Sequence, residues 1–371
     1  MFDLHDASIW VGAVTFAAMI PRFLFSPFAG LIVDRFDRRG ILGTVLALSS
    51  LHTIVLALLV IVEAIQVEYV IALAFLDGSA RAVLMPATGA LIPNLVPRTH
   101  LLNAVALNAA TTHGSRFLGP LAVSPFMGGA GIAGAFILCG CLYALGIALT
   151  LVIKTSSSGV VRKDQTIVKN ILEGVIYLYH HPLLRPLLLL TVMHCAFTMS
   201  FESLLPALSV EKLDAQESAF SYLMMSVGAG ALIGVMFLAG IKNDAIRGKV
   251  LLFLGIFSGL TPIALAGAPT LPIALVAAAS MGISQSTFMA LFATIVQSTI
   301  PDSIRGRVTS VNNLHIGGSM ALCNLMNGAL ADILGAPILL FIPGVAFAII
   351  MVVSLRLPSL QMFYGANKLR Q

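Results

Sequence analysis

The sequence predicts an all-α, polytopic membrane protein with 11 spans arranged as two pseudo-symmetric helix bundles. Of its 371 residues, 58% are hydrophobic and 10% are charged, and the mean hydropathy is +0.98. Soluble domains carry about 25% charged residues. Apolar runs of about 20 residues recur along the chain, and such runs are long enough to cross the hydrocarbon core of a bilayer. The net charge of +5 is therefore interpreted as a loop bias of a membrane protein and not as a nucleic-acid surface.

The predicted spans form a group of five and a group of six. The first group covers residues 9–33, 40–62, 69–92, 104–127 and 131–153. The second covers residues 186–208, 218–241, 249–267, 271–296, 308–331 and 335–355. This division predicts an N-terminal bundle over residues 1–154, a linker over 155–185, a C-terminal bundle over 186–356 and a tail over 357–371.

The linker contains one segment with helical periodicity. From residue 167 to residue 179, apolar side chains recur every three or four positions, with Lys169, Asn170, Glu173 and His180 on the other sides. This pattern predicts an amphipathic helix that lies on the membrane surface or against the bundle.

The distribution of basic residues predicts the orientation in the membrane. Most of the 21 lysines and arginines fall in one set of alternating loops, whereas Lys212 is the one basic residue in the opposite set. Because basic loops remain in the cytoplasm, the loop at Asp34, the linker and the C-terminus are predicted to be cytoplasmic. Eleven spans then place Met1 outside the cell membrane.

The first connection between spans carries a dense charge motif. It has the order Gly-x-x-x-Asp-Arg-x-x-Arg-Arg, formed by Gly30, Asp34, Arg35, Arg38 and Arg39. It resembles the motif between the second and third helices of major facilitator superfamily transporters. The resemblance implies the major facilitator fold, a monomer, and a gating role for these residues. Since the motif here follows the first predicted span, the usual first helix is expected to be missing; a native protein with eleven helices is the alternative.

Two sequence motifs of the N-terminal half recur in the C-terminal half. This recurrence supports two structurally related halves, as expected from the parallel repeats of this superfamily. The residues that recur at matching topological places are Gly30, Asp34 and Arg38 with Gly240, Asp244 and Arg247, and Pro97 and Asn108 with Pro301 and Asn312.

Further stretches resemble the drug- and siderophore-exporter branch, which includes enterobactin exporters and macrolide efflux pumps. They lie at residues 21–27, 101–108, 172–185 and 305–308. The fourth span also contains Gly119-Pro120 after Gly114, similar to the antiporter motif of exporters, although Val123-Ser124 replaces the Gly-Gly pair of that motif. A plain helix kink is the other interpretation of Gly119-Pro120.

Five ionisable residues inside the predicted spans are candidates for substrate or proton handling: Arg22, Asp77, Arg81, Arg116 and Glu202. A charged side chain inside a bilayer costs free energy, so each of these residues is expected to be paired or to have a function. Asp77 and Arg81 are four residues apart and can pair on one helix face. That pair is either structural or functional, and Glu202 either exchanges protons or lies solvated near the mouth of the protein.

The resemblance implies a secondary active transporter that exports small amphiphilic, siderophore-like or drug-like molecules by alternating access, with proton antiport. No phosphate-binding loop, nucleophile–base pair or metal-ligand spacing is visible in the sequence, so an enzyme, a cofactor and a metal site are not expected. The excess of arginine over acidic residues in the spans slightly favours anionic substrates. A non-transporting scaffold or receptor on the same fold is the alternative.

Overall fold

Fourteen α-helices and one π-helical turn make up a computed structural model of the chain, which contains no strand in the residues it describes. Those residues are 8–97, 101–123, 126, 131–154, 167–211, 218–238, 244–301 and 304–365. The first helices are α1 Ser8–Arg35, α2 Arg38–Ile61, α3 Val67–Leu95, α4 Leu101–Val123, α5 Gly131–Val152 and α6 Ile167–His180. The others are α7 Leu184–His194, α8 Leu205–Glu211, α9 Ser218–Leu238, α10 Asp244–Gly267, α11 Leu271–Thr299, α12 Arg305–Leu334, α13 Ala336–Ser354 and α14 Pro358–Phe363.

Seven helices in the described part of the chain are long and apolar enough to cross a membrane, and an eighth span results if one bent helix pair counts as a span. The seven lie in α2, α3, α5, α9, α10, α11 and α13. The helices α1, α4 and α12 have 28, 23 and 30 residues and are therefore also long enough, although they are not among these seven. The predicted number of eleven spans stays a prediction.

The packing order of α1–α5, here called the first helix group, recurs in α9–α13. In the first group α1 packs on α3, and α2 packs on both α3 and α5. Likewise α9 packs on α11, and α10 packs on both α11 and α13. Together with α7 and α8, the helices α9–α13 are here called the second helix group. Two contacts join the groups, α1 against α12 and α4 against α9.

Glycines mark the same close approach in both groups. A Cβ atom at Gly78 of α3 would collide with the carbonyl oxygen of Ala18 in α1. One at Gly282 of α11 would collide with the carbonyl oxygen of Val227 in α9. Small residues let membrane helices approach to backbone contact, so the corresponding helix pairs are built in the same way.

Of the side chains that the structure describes, more of the buried core lies in the second group. One cluster there includes Leu187, Leu251, Phe288 and Phe347, and a second includes apolar residues of α8, α9, α11 and α13. The described cluster of the first group consists of Val33, Ile41, Val45, Ala80 and Ala87.

The single span predicted at residues 186–208 is wrong in detail, because the structure breaks it. Helix α7 continues into the π-helical turn Cys195–Met199, and residues 200–204 form turns before α8 begins at Leu205. The physical reason is that α12 supplies side-chain partners for the open backbone. Asn327 Nδ2 donates to the Ser200 carbonyl at 2.5 Å, and Ser203 N donates to Asn324 Oδ1 at 3.3 Å. Irregular backbone is tolerated at membrane depth only when it is satisfied in this way.

The helix predicted in the linker is α6, which contacts α12 and, to a smaller extent, α1. Tyr179 is hydrogen-bonded to His315 of α12, with 3.0 Å between the phenol oxygen and Nε2. The side chains of Leu172 and Ile176 remain exposed on α6. This helix therefore lies at the place where the two groups meet.

Candidate functional site

A polar network lies inside the first helix group, centred on the predicted pair of Asp77 and Arg81. Arg81 Nε lies 2.5 Å from Asp77 Oδ2, one turn away on α3. The Asp77 side chain is 13% exposed and that of Arg81 is 38% exposed, so the carboxylate is the more buried partner. The structure thus brings this predicted pair into direct contact.

Two further residues complete the network from neighbouring helices. Ser49 of α2 donates a hydrogen bond to Asp77 Oδ1 at 2.6 Å. The guanidinium of Arg81 donates to the phenol oxygen of Tyr143 on α5 and lies 5.8 Å from the centroid of its ring. A planar guanidinium can make both contacts at once. The network therefore ties α2, α3 and α5 together around one partly buried charge pair.

His52 lies at the edge of this network. Its Nδ1 atom is 3.8 Å from Asp77 Oδ1, which is too long for a hydrogen bond. The sequence analysis does not identify Ser49 or Tyr143 as partners, and the available signal is only the presence of a tyrosine in an apolar run. A buried tyrosine hydroxyl usually finds a partner.

Glu202, the other predicted carboxylate, lies in the break between α7 and α8. It is half-buried, and the neighbouring residues Phe201 and Ser203 are buried. Glu202 is therefore not brought together with Asp77 and Arg81, and it occupies a segment whose backbone is held by the asparagines of α12. Its place on irregular backbone was not expected.

The charge motif is described in part. Gly30 lies in α1, the side chain of Asp34 is outside the described residues, and Arg35 is exposed at the end of α1. Arg39 donates to the Leu151 carbonyl near the end of α5 at 2.7 Å, and Asp37 accepts from Gly40 N at 3.2 Å as the N-cap of α2. Arg38 is half-buried in the first turn of α2. Arg39 and Asp37 thus contact the first helix group itself.

The remaining predicted residues are dispersed. Arg22 is exposed on α1, and the side chain of Arg116 lies outside the described residues. Pro120 is inside α4, which continues to Val123, and Gly119 has open space beside its Cα atom. The structure therefore does not bring Arg22 into the Asp77 network.

An apolar cavity of about 740 Å³ lies where the two helix groups meet. It is lined by α1 and α3 of the first group and by Leu325 of α12. The lining residues include Phe16 and Phe75. Cavities of several hundred Å³ with apolar walls are typical of small-molecule sites.

A second buried polar network occurs in the second helix group. His194 Nε2 is hydrogen-bonded to Ser258 Oγ at 2.9 Å, and the imidazole stacks on Phe288 with 4.3 Å between ring centroids. Gln285 Nε2 donates to the Thr198 carbonyl at 2.6 Å. These groups are all buried, so they hold α7, α10 and α11 together and are closed to a substrate. In the described part of the chain, no group of three histidine, cysteine, aspartate or glutamate residues is placed to hold a metal ion.

Comparisons with known proteins agree with this architecture. A family model described as "Transmembrane secretion effector" matches residues 1–367. The multidrug efflux pump Tap of Mycolicibacterium fortuitum is 25% identical over 376 residues, covering 98% of this chain and 90% of Tap. The staphyloferrin A transporter of Staphylococcus aureus is 23% identical over 340 residues, covering 89% of this chain and 83% of that protein. Macrolide efflux protein A of Streptococcus pyogenes is 25% identical over 325 residues, covering 85% of this chain and 79% of that protein.

Solved structures share the fold at low sequence identity. A POT family transporter in complex with a thioalcohol-conjugated peptide superposes with a TM-score of 0.75 at 14% identity, covering 94% of this chain and 87% of that chain. The nucleoside transporter NupG superposes with a TM-score of 0.70 at 11% identity, covering 96% of this chain and 91% of that chain.

Proposed function

Because the chain belongs to the transmembrane secretion effector family of the major facilitator superfamily, we propose that it is a secondary active transporter that exports small amphiphilic molecules. The observation that carries this proposal is the family match over residues 1–367, to which relatives named as efflux and siderophore transporters add support. The substrates of those relatives suggest drug-like or siderophore-like molecules for this chain.

Alternating access requires two bodies that move relative to each other. The helix groups meet mainly through α1 with α12 and through α4 with α9, so these are the contacts along which one group would rock against the other. The apolar cavity between α1, α3 and α12 is the best place for an amphiphilic substrate. Its walls would hold the apolar part of the molecule.

Proton antiport is the proposed coupling, and two carboxylates are candidates for the exchanging group. Asp77 is held by Arg81 and Ser49, so protonation would release the arginine for another anion. Glu202 lies on the irregular segment between α7 and α8. Glu211 offers a matched control, because its carboxylate caps α13 by accepting from Ala336 N at 3.1 Å and has a structural role.

The arginines inside the predicted spans suggest the sign of the charge that the substrate carries. The predicted spans hold three arginines, Arg22, Arg81 and Arg116, against two acidic residues, Asp77 and Glu202, and guanidinium groups bind carboxylates and phenolates well in poorly hydrated sites. We therefore favour anionic, iron-chelating amphiphiles over cationic drugs. In this proposal the protein is a monomer in the inner membrane, with the Asp34 loop, the linker and the C-terminus in the cytoplasm and Met1 outside. Gly119 and Pro120 of α4 would bend this helix during gating.

Inverted membrane vesicles provide the test. Uptake of tracer staphyloferrin A and of a tracer macrolide is measured with and without a proton gradient, and with competing anionic and cationic amphiphiles of similar size. Uptake that needs the gradient, is inhibited by the anions and is lost in Glu202→Gln or Asp77→Asn but not in Glu211→Gln supports the proposal. Gradient-independent uptake would refute the coupling. Preferential transport of cations, unchanged in Arg116→Gln, would refute the proposal that the substrates are anionic. A well-folded protein that transports nothing would identify it as a scaffold or receptor.

A further inference from the structure

Three sulfur atoms meet in the second helix group, beside the break between α7 and α8. Cys195 Sγ lies 4.0 Å from Met199 Sδ and 3.9 Å from Met289 Sδ. Cys195 is fully buried, and both methionines are half-buried. Neither the proposed transport site nor the charge motif uses these residues.

The π-helical turn Cys195–Met199 fixes two of the three sulfurs. Ser200 Oγ donates to the Cys195 carbonyl at 2.9 Å, and Thr198 Oγ1 donates to the His194 carbonyl at 2.8 Å. These bonds satisfy carbonyl groups that an ordinary α-helix would engage through its backbone. π-Helical turns within helices occur frequently at functional sites. The third sulfur comes from α11, so the cluster connects two helices.

The distances are compatible both with a thiol hydrogen bond and with a shared ligand. One S–H group can donate to only one of the two thioethers at a time, and sulfur is a weak acceptor. Three sulfurs around a metal at a bond length of about 2.3 Å would stand about 4 Å apart if the ion were trigonal. Both measured separations from Cys195 agree with that spacing.

The ligand set is soft throughout. Thiolate and thioether sulfur select Cu(I) over hard cations, which prefer oxygen ligands. The nearby imidazole of His194 is already hydrogen-bonded through Nε2 to Ser258.

We propose that Cys195, Met199 and Met289 form a binding site for a soft monovalent metal ion, Cu(I) or Ag(I). On binding, the Cys195 thiol releases its proton to solvent and the thiolate bonds to the ion, so the site remains neutral and no electron is transferred. The bound ion connects the π-helical turn to α11. This site is independent of the proposed transport substrate.

Copper binding to the purified full chain in lipid nanodiscs tests this inference. Under anaerobic conditions, Cu(I) is titrated against a chromogenic Cu(I) chelator, and ultraviolet absorption of the copper–thiolate bond is recorded. One tightly bound ion per chain is expected. Cys195→Ser should abolish the absorption band, and Met199→Leu or Met289→Leu should weaken binding about tenfold, since loss of one ligand leaves two.

Two variants serve as matched controls. Met236 is 76% exposed on α9, and Cys141 is an exposed free cysteine on α5. Met236→Leu and Cys141→Ser should leave both affinity and absorption unchanged. Leucine conserves the volume of methionine, and size-exclusion profiles check that the variants fold. Absence of tight binding in the unaltered protein, or equal losses in site and control variants, would overturn the proposal.

Discussion

The guanidinium of Arg81 donates to the Tyr143 hydroxyl and stands over the ring of the same side chain, so that one residue of α3 contacts α5 in two ways. Tyr143→Phe keeps the ring and removes the hydroxyl. A hydrogen bond to a charged group contributes about 1.5–3 kcal/mol, and partial exposure of Arg81 places the expected loss of unfolding free energy at the lower end.

Thermal unfolding in detergent measures this loss, and tracer transport is followed in parallel. Tyr222→Phe is the control, because Tyr222 is exposed on α9. Equal stability of the two variants would show that the hydroxyl contributes nothing.

The Asp77–Arg81 pair predicts a non-additive response to substitution. Asp77→Asn or Arg81→Gln alone leaves a charge without its partner, which is more damaging than removing both charges. The coupling free energy in a double-mutant cycle should be about 0.5–3 kcal/mol. Asp77→Asn combined with the distant Lys249→Gln is the control and should be additive. A double variant no better than the worse single variant, in folding yield and transport, would contradict direct pairing.

Gly78 and Gly282 make equivalent helix contacts, so Gly78→Ala and Gly282→Ala should act alike. Each added methyl group meets a backbone carbonyl, and the helices must move apart, with an expected loss of about 1–3 kcal/mol in unfolding free energy. Gly43→Ala is the control, because nothing lies within 4 Å of a Cβ atom there. Thermal unfolding gives all three values, and similar stability of the control and the two contact variants would argue against this packing.

The broken segment at residues 200–204 should loosen when its asparagine partner is removed. Asn327→Ala leaves the Ser200 carbonyl without its donor, at a cost of about 1–3 kcal/mol for a buried group. Faster hydrogen exchange of the backbone amides at 200–204 is the expected result. Asn313→Ala, an exposed position on the same helix, should leave exchange unchanged. If the amides at 200–204 exchange at the same rate in both variants, Asn327 does not stabilise this segment.

The charge motif is tested by Asp34→Asn. If Asp34 holds the cytoplasmic side of the transporter closed, as a latch, its contacts would contribute about 1–3 kcal/mol to the outward-facing conformation. Their loss should shift the equilibrium toward the inward-facing conformation and slow transport at normal expression. Asp37→Asn makes the same charge change in the same connection, but asparagine preserves the N-cap of α2. Transport and cysteine accessibility from the periplasmic side measure the shift, and an unchanged Asp34→Asn protein refutes the latch.

Local patterns predicted the helices and the Asp77–Arg81 contact, because helix length, hydropathy and spacing by four residues are all local properties. The other partners are far away in sequence. Tyr143 is 62 residues from Arg81, and Asn327 is 127 residues from Ser200. Hydropathy does not indicate which side chain will satisfy an opened carbonyl, so the break in the span at residues 186–208 was not predicted. The same limit applies to Cys195 and Met289, which are 94 residues apart.

The contact between α1 and α12 has a consequence for synthesis. Gly12 packs on Gly328, where a Cβ atom at Gly12 would lie 2.9 Å from the partner's Cα atom. Because α12 begins at Arg305, the ribosome must add roughly 300 residues after α1 emerges, a delay of roughly 15–60 s at translation rates of 5–20 residues per second. During that interval α1 resides in the bilayer with its glycine surface uncovered. Premature stop codons before α12 would therefore leave the Gly12 surface of α1 permanently uncovered and expose the truncated chain to membrane proteases.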